Sequence, residues 1–324
     1  MGTLASVTLT NKQGMVVEII NFGARIKSVQ FPVKGKLTEM TVGYKAAESY
    51  LSDAFYLGAT CGRVCNRIEN ASFDIEGETY FISQNEGEHC LHGGFDNFSH
   101  RYWKIETSTA TSATLSLSSK HLDQGFPGNL DISVTYKLTD DNQIIIAYKA
   151  TTDCATPINI TNHTYFSLGE ANGELLNLKI NASTVLERKA NALPSGNILA
   201  VDSTDFDFRD STNIGARQKS TKDNTLKEMM GFDHCFVLDS NDLNEPSAEL
   251  VSPSNKIKMT LFTEHEAVQF YSAAYLTGQF LPYQGVCLEA QNYSNAINVK
   301  HFPESILWPQ ETYEKRIIFK FESI

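Results

Sequence analysis

The sequence predicts an all-β protein, because short runs of alternating apolar and polar residues recur along its whole length. Such alternation is typical of strands that bury one face of a sheet. No helical pattern alternates with these runs, which disfavours a parallel α/β sheet. The clearest runs are Leu115/Leu117, Ile132/Val134/Tyr136/Leu138, Leu176/Leu178/Ile180, Ile257/Met259/Leu261 and Ile317/Phe319/Phe321. We therefore expect residues 1–324 to form one large, mostly antiparallel β domain.

Polar turn signals separate these runs. They lie at residues 140–142, 172–173, 194–196 and 263–266, and turns of this composition can close antiparallel hairpins. The sequence predicts one short helix, near residues 221–230. Thr221 is its expected N-cap and Gly231 its expected C-terminal stop.

The net charge and the distribution of apolar residues exclude some classes of binding partner. The formal net charge of −11 and the pI near 5.2 argue against nucleic-acid and anionic-membrane partners, because phosphates would be repelled. No apolar run approaches the roughly 18 residues that span a bilayer. The N-terminus lacks the pattern of a signal peptide, and the six cysteines are scattered. We expect a cytoplasmic protein with reduced thiols and a small-molecule partner; the sequence does not indicate an oligomeric state.

Two polar residues, His163 and Glu289, each stand among apolar, strand-like neighbours. A carboxylate is costly to bury unless it is paired or hydrogen-bonded. An imidazole can donate or accept a proton near neutral pH. An acid and a base from distant parts of one chain are what a proton-transfer enzyme requires.

Four further segments are rich in polar residues and glycine. Residues 62–68 contain Arg63, Asn66 and Arg67, which could donate to ligand oxygens or could form a charged surface strand. Asp233 could bind a hydroxyl or cap a turn. Gln269 stands beside aromatic residues, an arrangement common in sugar sites.

The fourth segment, His89-Cys-Leu-His-Gly-Gly94, contains paired histidines. The pair lacks further ligands at a standard zinc spacing, so we expect no metal, and a structural role is the alternative for these histidines. The two glycines would let the backbone approach a ligand closely. No dinucleotide-binding, Walker or nucleophile-elbow motif is present. A glycosidase with Asp233 and Glu289 as its two carboxylates is the runner-up interpretation.

These segments together resemble the aldose 1-epimerase (galactose mutarotase) family over nearly the whole chain. The matching motifs occur in the family's order and are Asn21-Phe-Gly-Ala-Arg-Ile26, Gly62-Arg-Val-Cys-Asn-Arg-Ile68, Leu91-His-Gly-Gly94, Asp123-Gln-Gly-Phe-Pro-Gly128, Asn162-His-Thr-Tyr-Phe166, Gly231-Phe-Asp-His234, Gln269-Phe-Tyr271 and Cys287-Leu-Glu-Ala-Gln-Asn292. Many ordered matches are more specific than any single motif.

The resemblance implies the large antiparallel β-sandwich of that family and interconversion of the α and β anomers of free aldohexoses, galactose or glucose, without a cofactor. It implies that Glu289 is the base and His163 the acid. Sugar contacts are implied for Asn66, Arg67, His92, Asp233 and Gln269. Ala290 stands where the family usually has threonine, which predicts a missing contact to Glu289.

Two alternatives to a free-hexose epimerase use the same fold. One is a non-catalytic sugar-binding or regulatory protein, because fold alone does not fix function. A pure binder has no need of both His163 and Glu289. The other is a phosphosugar epimerase or an enzyme that acts on glycans. A phosphate would require a cluster of basic residues, for which Arg25, Arg63 and Arg67 are the candidates.

Overall fold

The computed structural model describes residues 2–324 and consists mainly of strands. In chain order the strands of this part are β1 (Ser6–Thr10), β2 (Val16–Ile20), β3 (Arg25–Val33), β4 (Lys36–Glu39), β5 (Ala59–Cys61), β6 (Arg67–Ile68), β7 (Ser72–Ile75), β8 (Glu78–Phe81), β9 (Cys90–Leu91), β10 (Lys104–Ser108), β11 (Ser112–Ser119), β12 (Leu130–Leu138), β13 (Gln143–Thr152), β14 (Thr156–Pro157), β15 (Thr161–His163), β16 (Tyr165–Phe166), β17 (Asn177–Ile180), β18 (Thr184–Arg188), β19 (Pro194–Ala200), β20 (Thr212–Asn213), β21 (Asp233–Val237), β22 (Ala248–Ser252), β23 (Ile257–Thr263), β24 (Ala267–Tyr271), β25 (Val286–Gln291), β26 (Ile306–Leu307) and β27 (Tyr313–Ser323). The α-helices of this part are α1 (Ile214–Ser220) and α2 (Asn224–Glu228). Its 3-10 turns are Ala47–Ser52, Glu69–Ala71, Phe98–His100, Gly173–Leu175 and Ala296–Asn298.

Two large sheets dominate the fold. One has nine strands in the order β10-β11-β12-β13-β27-β23-β22-β17-β20, and the other has six in the order β16-β25-β24-β21-β18-β19. A four-stranded sheet follows the order β1-β2-β3-β4. The ladders within these sheets are antiparallel. The prediction of an all-β, antiparallel fold is confirmed.

The two large sheets share one hydrophobic core. Leu261 and Phe319 from the nine-stranded sheet belong to the same buried cluster as Phe236, Phe270 and Leu288 from the six-stranded sheet. Two sheets that bury their facing sides against each other form a β-sandwich. The predicted sandwich is therefore confirmed, whereas its description as one domain over residues 1–324 stays a prediction. None of the helices in residues 2–324 is long and apolar enough to cross a bilayer.

The predicted turns have different outcomes. Residues 140–142 close the antiparallel hairpin of β12 and β13, as expected. Residues 263–266 include the connection from β23 to β24, but these two strands lie in different large sheets, so the expectation of a hairpin there is wrong. Residues 194–196 are not a hairpin turn but belong to β19. The pairing of β18 with β19 shifts register between Leu186 and Arg188, opposite Gly196, which has φ of +100°. Here the turn signal marks a strand irregularity, as isolated glycine in a strand often does. Asn172 caps a 3-10 turn instead of closing a hairpin.

The predicted helix exists, but its N-cap is wrong. Helix α2 begins after Asp223, whose side chain accepts a hydrogen bond from the N–H of Leu226. Thr221 instead ends α1, a helix that the sequence pattern did not predict, and its hydroxyl donates to Asp205. The hydroxyl oxygen of Thr221 accepts from the N–H of Asp223, which precedes α2, whereas the carboxylate of Asp223 accepts from the N–H of Leu226 within it and is therefore the cap.

Candidate active site

A cavity of about 540 Å³ contains most of the residues that the sequence predicted for the site. Its walls come from the six-stranded sheet, from the loops around β6 and β9, and from helix α2. Six of the predicted residues line it: Asn66, Arg67, His92, His163, Asp233 and Glu289. The seventh, Gln269, contacts this group through Asp233, because its Nε2 donates to Oδ1 of Asp233 over 2.6 Å.

Strand register places three of these side chains on one side of the six-stranded sheet. Glu289 on β25 stands opposite Gln269 on β24, and Gln269 stands opposite Cys235 on β21. Directly paired residues project to the same face, as do residues two apart on a strand. Asp233 therefore shares this face with Gln269 and Glu289.

The same alternation corrects the expectation for Ala290. Its side chain belongs to the main hydrophobic core, on the opposite face of β25 from Glu289. A threonine at this position would project into the core and not toward the carboxylate. The predicted loss of a contact to Glu289 is therefore wrong.

His163 ends strand β15 and faces Glu289. Its Nε2 lies 3.6 Å from Oε1 of Glu289, and both side chains are buried. On the other side of the ring, Nδ1 lies 3.6 Å from Sγ of Cys287. The ring also packs against Tyr165, with 5.1 Å between the centroids. Oε2 of Glu289 is buried and has no hydrogen-bond partner among residues 2–324.

Burial shifts the pKa values of this pair in opposite directions. Desolvation, followed by the charge of Asp233, raises the pKa of Glu289 well above its ordinary value, against the attraction of Arg67. Desolvation lowers the pKa of His163 to about 4. Two groups this close titrate as a unit. Over a wide range of pH, the pair therefore holds one proton.

His92 faces His163, with 5.4 Å between the ring centroids. The backbone N–H of Asn66 donates to Nδ1 of His92 over 3.2 Å. Burial, followed by the nearby His163 and Arg67, lowers the pKa of His92 well below its ordinary value, so the ring is neutral. A neutral imidazole that accepts at Nδ1 carries its proton on Nε2. His92 is therefore a hydrogen-bond donor at Nε2.

His92, His163 and Glu289 bring one potential metal ligand atom each to within 4.8 Å of one another. The sequence did not indicate this grouping, because its members come from distant segments. The bonding of His92 does not fit a metal, which needs a free lone pair on a ring nitrogen. Nδ1 of His92 uses its lone pair to accept from Asn66, and Nε2 carries the proton.

The glycine at position 93 was expected to let the backbone approach a ligand, but the structure gives a different reason for it. It has φ of +91°, and a Cβ there would lie 2.3 Å from the carbonyl oxygen of Gly62. The glycine is thus required where two segments of backbone pack together.

Arg67 and Asp233 belong to a charged cluster in the cavity. Arg67 makes a bidentate contact with Glu86, at 2.6 and 2.8 Å, and its Nη1 lies 3.8 Å from Oδ2 of Asp233. Burial alone would raise the pKa of Asp233, but Arg67, Arg188 and the amide of Gln269 hold this pKa below its ordinary value. Asp233 is therefore an ionised acceptor of hydrogen bonds.

The other candidate arginines are structural. Arg63 donates to the carbonyl oxygens of Pro127 and Gly128 and to the hydroxyls of Ser119 and Thr156. The expectation that Arg63 could contact a ligand is therefore wrong. Arg25 likewise forms a fully buried ion pair with Asp53, 2.5 Å long, and does not line the cavity.

Arg188 lines the cavity beside Asp233, although no sequence motif indicated it. Its neighbours Glu187 and Lys189 are charged, so the segment resembles a solvated edge in sequence. One sequence signal could have indicated Arg188, namely the turn motif at residues 194–196. In the structure Pro194 pairs with Arg188, and the register of β18 and β19 shifts between Leu186 and Arg188.

Comparison with known proteins decides the family. A family model described as aldose 1-epimerase matches residues 5–320. The chain belongs to the aldose 1-epimerase family. It is 34% identical to an aldose 1-epimerase of Escherichia coli, over 97% of this chain and 94% of that protein. It is 32% identical to human galactose mutarotase, over 94% of this chain and 90% of that protein.

Solved structures of aldose 1-epimerase relatives share the fold. An aldose epimerase homologue from C. elegans superposes with a TM-score of 0.93 at 28% identity, covering 99% of this chain and 100% of that one. A galactose 1-epimerase from Lactobacillus acidophilus gives a TM-score of 0.88 at 29% identity, covering 99% and 95%.

Proposed function

We propose that this protein interconverts the α and β anomers of free aldohexoses, such as galactose and glucose. Glu289 is the general base and His163 the general acid, and neither a metal nor an organic cofactor takes part. The main support for the proposal is the distance of 3.6 Å between Nε2 of His163 and Oε1 of Glu289, two buried side chains in a cavity lined by hydrogen-bonding groups. Membership of the aldose 1-epimerase family supports the same reaction.

The reaction opens and recloses the sugar ring. Glu289 removes the proton from the hydroxyl on C1 while His163 donates a proton to the ring oxygen. The bond between C1 and the ring oxygen breaks, and C1 becomes an aldehyde. After rotation about the C1–C2 bond, the two residues exchange roles and the ring closes on the other face. Each positioned proton transfer contributes about 10²- to 10⁴-fold to the rate.

The protonation of the pair suits this sequence of steps. The pKa directions put the shared proton on Glu289 when no sugar is bound, because burial raises the pKa of Glu289 and lowers that of His163. The same arrangement is required at the open-chain stage, after Glu289 has accepted a proton and His163 has released one. A sugar hydroxyl that donates to Glu289 stabilises its ionised form, which transfers the shared proton to His163 before ring opening.

Four residues contact the sugar in this proposal, and a fifth positions one of them. Nε2 of His92 donates to an oxygen near C1 and stabilises charge that develops there. Arg67 and Asn66 supply further hydrogen bonds. Asp233 accepts from hydroxyls because its pKa is held low. Gln269 fixes Asp233 through the 2.6 Å hydrogen bond to Oδ1 and acts through it.

A two-carboxylate glycosidase is less well supported than an epimerase. That mechanism requires one carboxyl with a raised pKa and one that is ionised, on either side of a glycosidic bond. The pKa of Glu289 is raised and that of Asp233 is lowered, as this mechanism requires. However, the glycosidase mechanism gives His163 no role in proton transfer, although His163 lies beside Glu289. We also propose a cytoplasmic location, which the six unpaired cysteines support.

Polarimetry on freshly dissolved α-D-galactose and α-D-glucose tests the function. Addition of the protein should accelerate the approach to the equilibrium rotation in proportion to its concentration, in a buffer that does not itself catalyse the reaction. Release of reducing ends from a glycoside, without any effect on free sugars, would instead support the glycosidase.

A further inference from the structure

We propose that Arg188 is a substrate-specificity residue that donates to neutral hydroxyls on the side of the sugar ring remote from C1. This inference deepens the proposed function and rests on it. Arg188 ends strand β18, where the pairing with β19 shifts register, and its guanidinium lines the cavity next to Asp233.

The hydrogen bonding of Arg188 is incomplete, although its side chain is only 9% exposed. A guanidinium carries five N–H donors. Among residues 2–324, Asp233 alone offers Arg188 an oxygen acceptor, through Oδ2 at 3.3 Å from Nη2. The other contact of Arg188 is with the sulfur of Met229, a weak acceptor.

The buried arginines that maintain the fold have more oxygen acceptors than Arg188, although Nε of both Arg25 and Arg63 has no partner among residues 2–324. Arg63 donates to oxygens of Ser119, Pro127, Gly128 and Thr156. Arg25 donates to Asp53 and to two backbone carbonyl oxygens. A buried arginine whose donors face a cavity without protein acceptors is better explained by a ligand than by a structural role.

The charges around Arg188 favour a neutral ligand group over a phosphate or carboxylate. Arg67 is already neutralised by its bidentate contact with Glu86. Arg188 and Asp233 neutralise each other, and Glu228 adds a negative charge to the lining. A guanidinium beside a carboxylate provides both donors and an acceptor, which suits adjacent hydroxyls of a sugar.

The position of Arg188 determines which hydroxyls it can reach. Asp233 is on β21 and Glu289 is on β25, with β24 between them. Neighbouring strands are about 4.8 Å apart, so the Asp233 end of the cavity is roughly 10 Å across the sheet from the reacting pair. A sugar whose C1 lies against His163 and Glu289 therefore presents hydroxyls remote from C1, such as those at C3 and C4, and not the one at C2, to Arg188.

The test compares D-glucose with its 2-deoxy, 3-deoxy and 4-deoxy analogues, using calorimetric affinity and polarimetric rate. Arg188→Gln should weaken binding of glucose and 2-deoxyglucose by about tenfold or more, the usual effect of losing a charge-assisted hydrogen bond. For the 3-deoxy or the 4-deoxy analogue, whichever lacks the contacted oxygen, wild type and variant should bind equally. The pH profile of the rate should keep its shape, because Arg188 transfers no proton.

Two further variants make the result decisive. Lys189→Gln is the matched control, because Lys189 is the next residue and pairs with Glu69 outside the cavity lining; it should bind all four sugars as wild type does. Arg188→Lys keeps the charge beside Asp233 but loses the planar fork, and should show the same pattern with a smaller effect. This variant also serves if Arg188→Gln does not fold.

An equal loss for all four sugars, or no loss for any of them, would overturn the role of Arg188. Affinity separates this inference from the proposed function. A wild type that binds aldoses without interconverting their anomers refutes the function, while the affinity pattern still decides the role of Arg188. A wild type that binds none of the sugars refutes both.

Discussion

Nε2 of His163 lies 3.6 Å from Oε1 of Glu289, although the two residues come from strands far apart in the sequence. Both side chains are buried, and desolvation moves their pKa values in opposite directions. The pair therefore keeps a single proton across a wide range of pH. This is the protonation state that one base and one acid acting together require.

The pH dependence of the rate follows from this pairing. As the pH falls through about 4, His163 and Glu289 should both become protonated, the base is lost and kcat/KM should fall. As the pH rises through the raised pKa of Glu289, the shared proton leaves and kcat/KM should fall again. The measurement is kcat/KM against pH in buffers that do not catalyse mutarotation, with folding monitored by circular dichroism at each pH.

The position of the acid limb is the sharper part of this prediction. A limb near pH 6.5, the ordinary pKa of histidine, would mean that His163 is solvated in the working enzyme and that its burial has no effect on the reaction.

Asp233→Asn should change how the sugar binds without changing which groups transfer protons. The amide keeps the shape of the side chain but removes the charge that Arg67 and Arg188 stabilise. We expect a higher KM or an altered preference between galactose and glucose, with a pH profile of unchanged form. If one limb of the profile disappeared in this variant, Asp233 would be a proton carrier, and the two-carboxylate mechanism would gain support.

Removal of metal ions should leave the rate unchanged. His92, His163 and Glu289 are close enough to share an ion, but both ring nitrogens of His92 are occupied, one by the N–H of Asn66 and one by its own proton. The measurement is the polarimetric rate after exhaustive treatment with a chelator, followed by addition of zinc. Loss of activity that zinc restores would contradict this reading of His92.

The fold was largely predictable, because the alternation of apolar and polar residues along a strand follows the alternation of buried and exposed side chains. Strands such as β12 and β27 bury every second residue, so their sequence pattern is also their structural pattern. The failures occurred where local signals compete. Thr221 and Asp223 are both good N-caps, and the sequence does not show that Asp223 accepts from Leu226 while Thr221 contacts Asp205, which is remote in sequence.

The site was predictable only as far as its motifs extend. His163, Glu289 and Asp233 stand in recognisable segments, and strand register then brings Glu289 and Asp233 onto one face of a sheet. The sequence could not distinguish Arg63 from Arg188, because the difference is in their partners. Arg63 has protein oxygens around its guanidinium, whereas Arg188 has a cavity.

The central claim is that His163 and Glu289 transfer the protons of anomer interconversion. The most direct measurement is the polarimetric rate on α-D-galactose for His163→Asn and Glu289→Gln, with folding verified by circular dichroism. Each variant should be slower than wild type by at least about a hundredfold, the contribution of a positioned acid or base. The exposed His301, whose Nε2 donates to the carbonyl oxygen of Gly196 outside the cavity lining, provides the matched control His301→Asn, which should retain the wild-type rate. A near wild-type rate in either folded variant of the pair would contradict the claim.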